Sequence, residues 1–153
     1  MSMTLDEFRI AHSNIIALYQ GLEFNLKRIC SILSDKGFIA SMDDLERDSM
    51  GSVIRELVKL TKDNDTLRLS DTAYEVLNKF REKRNYWCHQ CYLDICVKKD
   101  AQRSEVLKVG RSEAIGRMLI DETRELEAFG AELEELYFTL TRNRKYDSRR
   151  NAR

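Results

Sequence analysis

Proline is absent from all 153 residues of this chain. Because proline interrupts helices and has no amide hydrogen to donate, a chain without it can form long, unbroken helices. Apolar residues recur at spacings of three and four along most of the sequence, which is typical of helices with one buried face. We find no alternating strand pattern, internal repeat or low-complexity tract. The sequence therefore predicts an all-α fold, a four-to-five-helix up-down bundle.

The apolar spacing predicts four main helices, at residues 4–34, 49–62, 70–97 and 112–141. Thr4 and Glu7 have the spacing of a capping box, which predicts the start of the first helix. Residues 35–48 are predicted to be a connection, which could include a helical turn over Asp43–Arg47. Ser70 or Asp71 is expected to cap the third helix, because short polar side chains accept hydrogen bonds from exposed amide groups at helix starts.

The third helix carries an apolar stripe with one charged residue in its middle. At about 100° per residue, the stripe consists of Leu77, Phe80, Trp87, Cys88, Cys91 and Ile95. Arg84 projects from the same stripe, and burying an unpaired guanidinium is costly. The sequence therefore predicts that the helix is bent near residues 82–86, or that an anion or a partner subunit meets Arg84.

A second, mostly polar stripe runs beside the first. It consists of Arg81, Asn85, His89, Tyr92 and Cys96. On a regular helix His89 and Arg84 would point about 140° apart, so a bend or a dimer cleft would be needed for both to reach one substrate. An imidazole can accept or donate a proton near neutral pH, and a guanidinium can bind phosphate oxygens. The structural alternative is a paired core arginine with a surface or capping histidine.

The segment Arg84-Asn85-Tyr86-Trp87-Cys88-His89 resembles the RNxxxH form of the Arg-x4-6-His motif of the HEPN superfamily. Members of that superfamily are small all-α proteins, usually dimeric. Many are metal-independent RNases of toxin–antitoxin, abortive-infection and CRISPR systems. The resemblance implies that Arg84 binds or orients the scissile phosphate and that His89 transfers a proton. It further implies an RNA substrate, a homodimer and a separate antitoxin, for example of the nucleotidyltransferase type.

Three further residues are candidates for supporting roles. Asn85 precedes His89 by four residues, so its amide could hold the imidazole in one tautomer, or it could simply face water. Glu23, within the apolar first helix, could pair with Arg84 across the core or lie at its boundary. Tyr92 is a candidate for base stacking; many HEPN members have His-x-Tyr, whereas this chain reads His89-Gln90-Cys91-Tyr92.

Two other interpretations of the chain remain beside the ribonuclease hypothesis. Some HEPN members lack activity, so the chain could be a catalytically inactive helical module that binds RNA, a nucleotide or a protein partner. The other is a structural bundle in which Arg84 is simply salt-bridged. The remaining histidine, His12, lies far from the motif in sequence and is not expected to be catalytic.

The cysteines do not form a zinc-binding pattern. Cys88 and Cys91 make one CxxC pair, whereas Cys30 and Cys96 are isolated, and structural zinc usually requires four ligands. The CxxC lacks the βαβ context of a redox motif. We therefore expect free thiols in a reducing cytoplasm and neither a metal nor another cofactor.

The charges are balanced overall but unevenly distributed. The sequence holds 26 basic and 26 acidic residues. Residues 142–153 hold six arginines and lysines against one acid, so this segment is predicted to be a basic, flexible tail after a single domain at residues 1–141. It could be a solvated terminus or an RNA-attracting arm. No apolar run approaches the roughly 20 residues of a membrane span, so no membrane association is expected.

Overall fold

The computed structural model describes residues 3–62, 67, 70–92 and 109–151, and every regular element among them is helical. The helices are α1 (Leu5–Leu33), α2 (Phe38–Leu45), α3 (Met50–Lys62), α4 (Asp71–Asn85) and α5 (Val109–Asn151), with a π-helical turn (Tyr86–Gln90) directly after α4. The predicted all-α class is confirmed for the described residues. The up-down, HEPN-like arrangement stays a prediction.

The start of α1 is fixed by the predicted capping box. The Thr4 hydroxyl accepts a hydrogen bond from the Glu7 amide at 3.2 Å, and the Thr4 amide donates to the Glu7 carboxylate at 2.7 Å. These contacts satisfy amide groups that have no partner inside the helix. Because the Thr4 amide and then its hydroxyl donate to the carboxylate, the pKa of Glu7 is lowered. The predicted first helix is confirmed.

The connection predicted at residues 35–48 contains a helix, α2, so that prediction was wrong in part. Gly37 precedes the helix with φ of +89°, a conformation that L residues with side chains rarely adopt. The eight-residue helix buries Ser41 and Leu45. With a single buried apolar residue, its sequence shows too little helical periodicity to be distinguished from a loop.

The core lies between α1 and α5, which run side by side in the same direction. Met3 packs against Gly116 near the start of both helices, and Arg144 donates to the Ile32 carbonyl at 2.7 Å near the end of α1. The largest fully buried apolar side chains are Trp87, Tyr19, Ile15, Leu26, Ile29, Met50, Leu57, Leu77 and Leu119. The two long helices therefore form the frame against which the shorter elements pack.

Helices α3 and α4 pack against each other in opposite directions. Gly51, near the start of α3, faces Arg81 near the end of α4, whereas Thr61 at the end of α3 is hydrogen-bonded to the Tyr74 hydroxyl. Ser70 caps α4 by accepting from the Ala73 amide at 3.2 Å, which confirms the cap predicted there. This pairing places the C-terminal end of α4, with Arg84, beside the core.

Helix α5 extends further than predicted at both ends. It begins at Val109 and continues to Asn151, through most of the basic segment that was predicted to follow a helix ending at residue 141. Neither proline nor glycine interrupts residues 131–151, and arginine and lysine are good helix formers. None of the described helices combines the length and the apolar character needed to cross a bilayer.

Candidate functional site

The interruption predicted near residues 82–86 lies one turn later, as the π-helical turn at Tyr86–Gln90. The Cys91 amide donates to the Tyr86 carbonyl, five residues back rather than four. Such turns are rare and occur frequently at functional sites. This turn holds the last four residues of the predicted motif and ends directly after its histidine.

The π turn changes the angle between the two principal motif residues. A turn closed by hydrogen bonds five residues apart is wider than an α turn, with roughly 85° rather than 100° per residue. Over the steps from Arg84 to His89, the angle between their directions falls from about 140° to about 80°. On this estimate, the turn brings the directions of Arg84 and His89 closer together than a regular α-helix would.

Arg84 forms an ion pair with Glu23, across the α1–α4 contact. Its Nη2 atom lies 3.5 Å from Oε2 of Glu23, and the other carboxylate oxygen lies 3.1 Å from Nζ of Lys27. Lys27 also donates to the Glu46 carbonyl at 3.0 Å. The side chains of Glu23 and Lys27 are 15% and 11% exposed, whereas that of Arg84 is 29% exposed. The arginine is therefore the member of this cluster that solvent reaches best.

The cluster of Arg84, Glu23 and Lys27 carries more positive than negative charge. Two cations share one carboxylate, which leaves a net charge of about +1 in a partly buried place, where charges are screened less than in water. The 3.5 Å separation of Arg84 from Glu23 is also longer than the 2.7–2.9 Å typical of charge-assisted hydrogen bonds. Glu23 therefore holds the guanidinium of Arg84 less closely than in a typical charge-assisted pair.

His89 and Asn85 are both exposed. Within the described part of the chain, no hydrogen bond joins the Asn85 amide to the His89 imidazole. Residues four apart lie above one another on an α-helix, but the wider π turn moves them out of register. The hydrogen bond expected between Asn85 and His89 is therefore absent from the described structure, and a supporting role for Asn85 stays a prediction.

The apolar stripe of the motif is only partly buried. Trp87 and Cys91 are 1% exposed, whereas Cys88, predicted on the same stripe, is exposed. That part of the prediction was wrong, because the regular 100° step does not hold through the π turn. Ile95 and Cys96 lie outside the described residues. The indole N–H of Trp87 is buried without a hydrogen-bond partner among the described residues, which is uncommon in folded proteins.

His12 lies against the motif, although it is far from it in sequence. Its Nε2 atom is 2.8 Å from the Trp87 carbonyl oxygen, and its ring meets the Tyr92 ring edge-on with centroids 4.9 Å apart. The sequence contained a signal for this placement. His12 falls between Phe8 and Ile15 in the three-and-four spacing of the buried face of α1. Tyr92 is 38% exposed and also meets the Phe8 ring edge-on, with centroids 5.5 Å apart.

A buried carboxyl on α5 was missed in the sequence. Glu122 is 4% exposed and accepts a hydrogen bond from the Tyr19 hydroxyl on α1. Burial, with a smaller contribution from the nearby Glu125, raises the pKa of Glu122 to about 7. Leu119, Glu122 and Leu126 follow the three-and-four spacing of the buried face. The spacing therefore indicated that Glu122 lies on the buried face, and only the charge of its side chain argued against burial.

An open groove lies between the C-terminal parts of α1 and α5, with a volume of about 740 Å³. The Arg28 guanidinium lies 3.5 Å above the Tyr137 ring, and Phe138 is 51% exposed. Arg142, Glu134 and Glu135 also line the groove. Its surface thus combines aromatic rings with charges of both signs.

No group of three or more metal-binding side chains gathers within the residues that the structure describes. Comparison with known proteins finds no matching family model, curated protein sequence or solved structure. Inferences about function therefore depend on the chemistry of the motif residues and their surroundings.

Proposed function

We propose that this chain is a HEPN-like, metal-independent endoribonuclease of toxin-like or antiviral type. The observation that carries the proposal is the net positive charge around Arg84, one helical turn before an exposed His89. A phosphodiester could accept hydrogen bonds from the guanidinium while its ribose lies near the imidazole. The π turn and the unsatisfied indole of Trp87 support the proposal, because backbone irregularities and unsatisfied buried donors are often found at functional sites.

The proposed reaction is an attack of the ribose 2′-hydroxyl on the adjacent phosphorus. The 2′-oxygen–phosphorus bond forms, the phosphorus–5′-oxygen bond breaks, and His89 accepts the proton of the hydroxyl as general base. The leaving 5′-oxygen takes a proton from water or from a second imidazolium. Arg84 stabilises the negative charge on the crowded phosphorus. The products are a 2′,3′-cyclic phosphate and a 5′-hydroxyl.

A homodimer belongs to this proposal, because each chain carries one copy of the motif. Two motifs facing one cleft would supply one imidazole as base and another as acid. A toxin-like activity also requires restraint in the cell. Because of the HEPN resemblance, we propose that a separate antitoxin, of the nucleotidyltransferase type, binds this protein and inhibits it.

The test is incubation of the purified protein with single-stranded RNA in excess EDTA. Wild type is expected to cleave and to leave 2′,3′-cyclic phosphate ends. Arg84→Ala and His89→Ala are each expected to lose on the order of 100-fold or more in rate. Gln90→Ala, an exposed substitution on the same turn, serves as the control and is expected to remain near wild type. Absence of cleavage, or equal cleavage by wild type and His89→Ala, would contradict the proposal.

A second candidate function is a catalytically inactive module that binds RNA, a nucleotide or a protein partner. The groove beside Arg28 favours it, because exposed aromatic rings near arginines can stack bases and contact phosphates. Glu134 and Glu135, which line the same groove, weaken that interpretation for RNA.

The two candidate functions require different residues for RNA binding and for RNA cleavage. A binding module predicts RNA affinity that falls steeply with salt, survives His89→Ala and is reduced by Phe138→Ala. The ribonuclease predicts that His89→Ala abolishes cleavage while Phe138→Ala leaves the cleavage chemistry intact. Measuring affinity and cleavage for the same two variants at two salt concentrations separates the candidates.

A further inference from the structure

The Trp87 carbonyl, inside the π turn, receives two side-chain hydrogen bonds. His12 Nε2 lies 2.8 Å and Cys91 Sγ 2.9 Å from the carbonyl oxygen. A carbonyl oxygen has two lone pairs, so it can accept more than one hydrogen bond. The donor from α1 therefore reaches across the helix contact to the backbone of the turn that carries His89.

The ring of His12 is fixed in place by aromatic neighbours. It stacks on Phe8 with centroids 5.8 Å apart, and Tyr92 meets it edge-on at 4.9 Å. Because the Trp87 oxygen can only accept, the proton of the contact must reside on Nε2 of His12. The imidazole thus acts as a directed donor, held between the rings of Phe8 and Tyr92.

We propose that His12 is a positioning residue that holds the π turn in register and thereby sets the direction of His89 relative to Arg84. This inference rests on the ribonuclease function proposed above. Without the donor, the turn loses a contact that favours it over a regular α turn. In the α register His89 would point about 140° from Arg84 rather than about 80°, too far apart for both to act on one phosphodiester.

Two substitutions at His12 distinguish the effect of its hydrogen bond from the effect of its ring packing. His12→Phe keeps a flat ring between Phe8 and Tyr92 but cannot donate, whereas the amide of His12→Gln can replace the donor. Amide hydrogen exchange of residues 86–92, measured by mass spectrometry or NMR, reports the turn directly. We expect faster exchange in this segment for His12→Phe and exchange near wild type for His12→Gln.

The catalytic measurement uses the same variants. For His12→Phe we expect kcat to fall about tenfold or more with KM little changed, because misplacement of a catalytic group slows chemistry more than binding. His12→Gln should recover much of the loss. Leu26→Ala, which removes buried packing about four turns further along α1, is the control for lost stability, and it should lower the melting temperature without a selective change in the exchange of residues 86–92.

The outcomes distinguish this inference from the proposed function. If wild type does not cleave RNA but His12→Phe still loosens residues 86–92, the proposed function fails and the control of the turn by His12 stands. If wild type cleaves and His12→Phe matches it in exchange and kcat, the positioning role is overturned. The role is also overturned if both His12 variants fail to fold, because His12 would then be a general stabilising residue.

Discussion

The guanidinium of Arg84 on α4 lies 3.5 Å from the carboxylate of Glu23 on α1, and that carboxylate lies 3.1 Å from Lys27. Glu23 is thus the common partner of two cations. Removing the carboxylate would leave both cations without a counter-charge. Removing either cation would leave the carboxylate paired. Substitutions within this cluster should therefore have unequal effects on stability.

Glu23→Gln is expected to lower the free energy of unfolding by about 2–3 kcal/mol. This is somewhat less than the loss typical of a fully buried pair, because the carboxylate is 15% exposed. Chemical denaturation measures the change. Asp44→Asn is the control, since it breaks a pair with Lys36 whose side chains are 57% and 69% exposed. Its cost should be below about 1 kcal/mol, and equal losses in the two variants would contradict the prediction.

Stability should fall as the pH rises through the titration of Glu122. The folded-state pKa, about 7, lies above the ordinary value of 4.5, so the folded state binds this proton more tightly than the unfolded state does. The contribution of this proton to the free energy of unfolding is fully present below pH 4.5 and is lost as the pH rises through 7.

Glu122→Gln tests this pH dependence, because the amide mimics the protonated carboxyl and can still accept from Tyr19. It should match wild type at pH 4.5 and be more stable at pH 8, by on the order of 2 kcal/mol. Denaturation curves between pH 4.5 and pH 8 measure the difference. Glu127→Gln, on the same helix and exposed, is the control. A parallel pH dependence in wild type and Glu122→Gln would refute the prediction.

The helices that could be predicted from the sequence are those with a long apolar face. In α1, residues such as Ile15, Leu22 and Leu26 recur at the spacing of a buried stripe, and all three are buried. Thr4 supplied the start by local hydrogen bonding. Such signals depend only on nearby residues, so they can be recognised without knowledge of the tertiary contacts.

The π turn and its donor could not be predicted from local pattern. The contact from His12 to the Trp87 carbonyl, inside the turn, joins residues 75 positions apart. The sequence indicated only that a regular helix would place the charged Arg84 on the apolar stripe. The pairing of Arg84 with Glu23 remained one of two alternatives for the same reason, since the relative rotation of α1 and α4 is set by packing.

The thiols should differ sharply in reactivity. Burial raises the pKa of Cys30 to about 12, whereas Cys88 is exposed on the π turn. Because the thiolate is the reactive form, iodoacetamide at pH 8 should label Cys88 readily and Cys30 only after unfolding. Peptide mapping under native and denaturing conditions measures both. Labelling of Cys30 at the same rate as Cys88 in native protein would show that α1 does not bury this thiol.

Two substitutions distinguish an arginine that binds substrate from one that stabilises the fold. Arg84→Met and Lys27→Met both remove a charge from the same carboxylate while keeping an apolar stem. Lys27→Met also leaves the Glu46 carbonyl without its donor, so it should lower the free energy of unfolding by about 2 kcal/mol. Arg84→Met should cost about 1 kcal/mol or less, because its pair is longer and more exposed.

Cleavage of RNA in excess EDTA should show the reverse order. Arg84→Met is expected to lose nearly all activity, and Lys27→Met is expected to retain activity at temperatures where it is folded. Thermal denaturation and cleavage are therefore measured on the same preparations. If Arg84→Met were the more destabilised protein, Arg84 would be a structural arginine and the net positive charge at the site would serve the fold. If instead the stability loss is small and the loss of cleavage is large, the donors left open beside Glu23 are those that bind the phosphate.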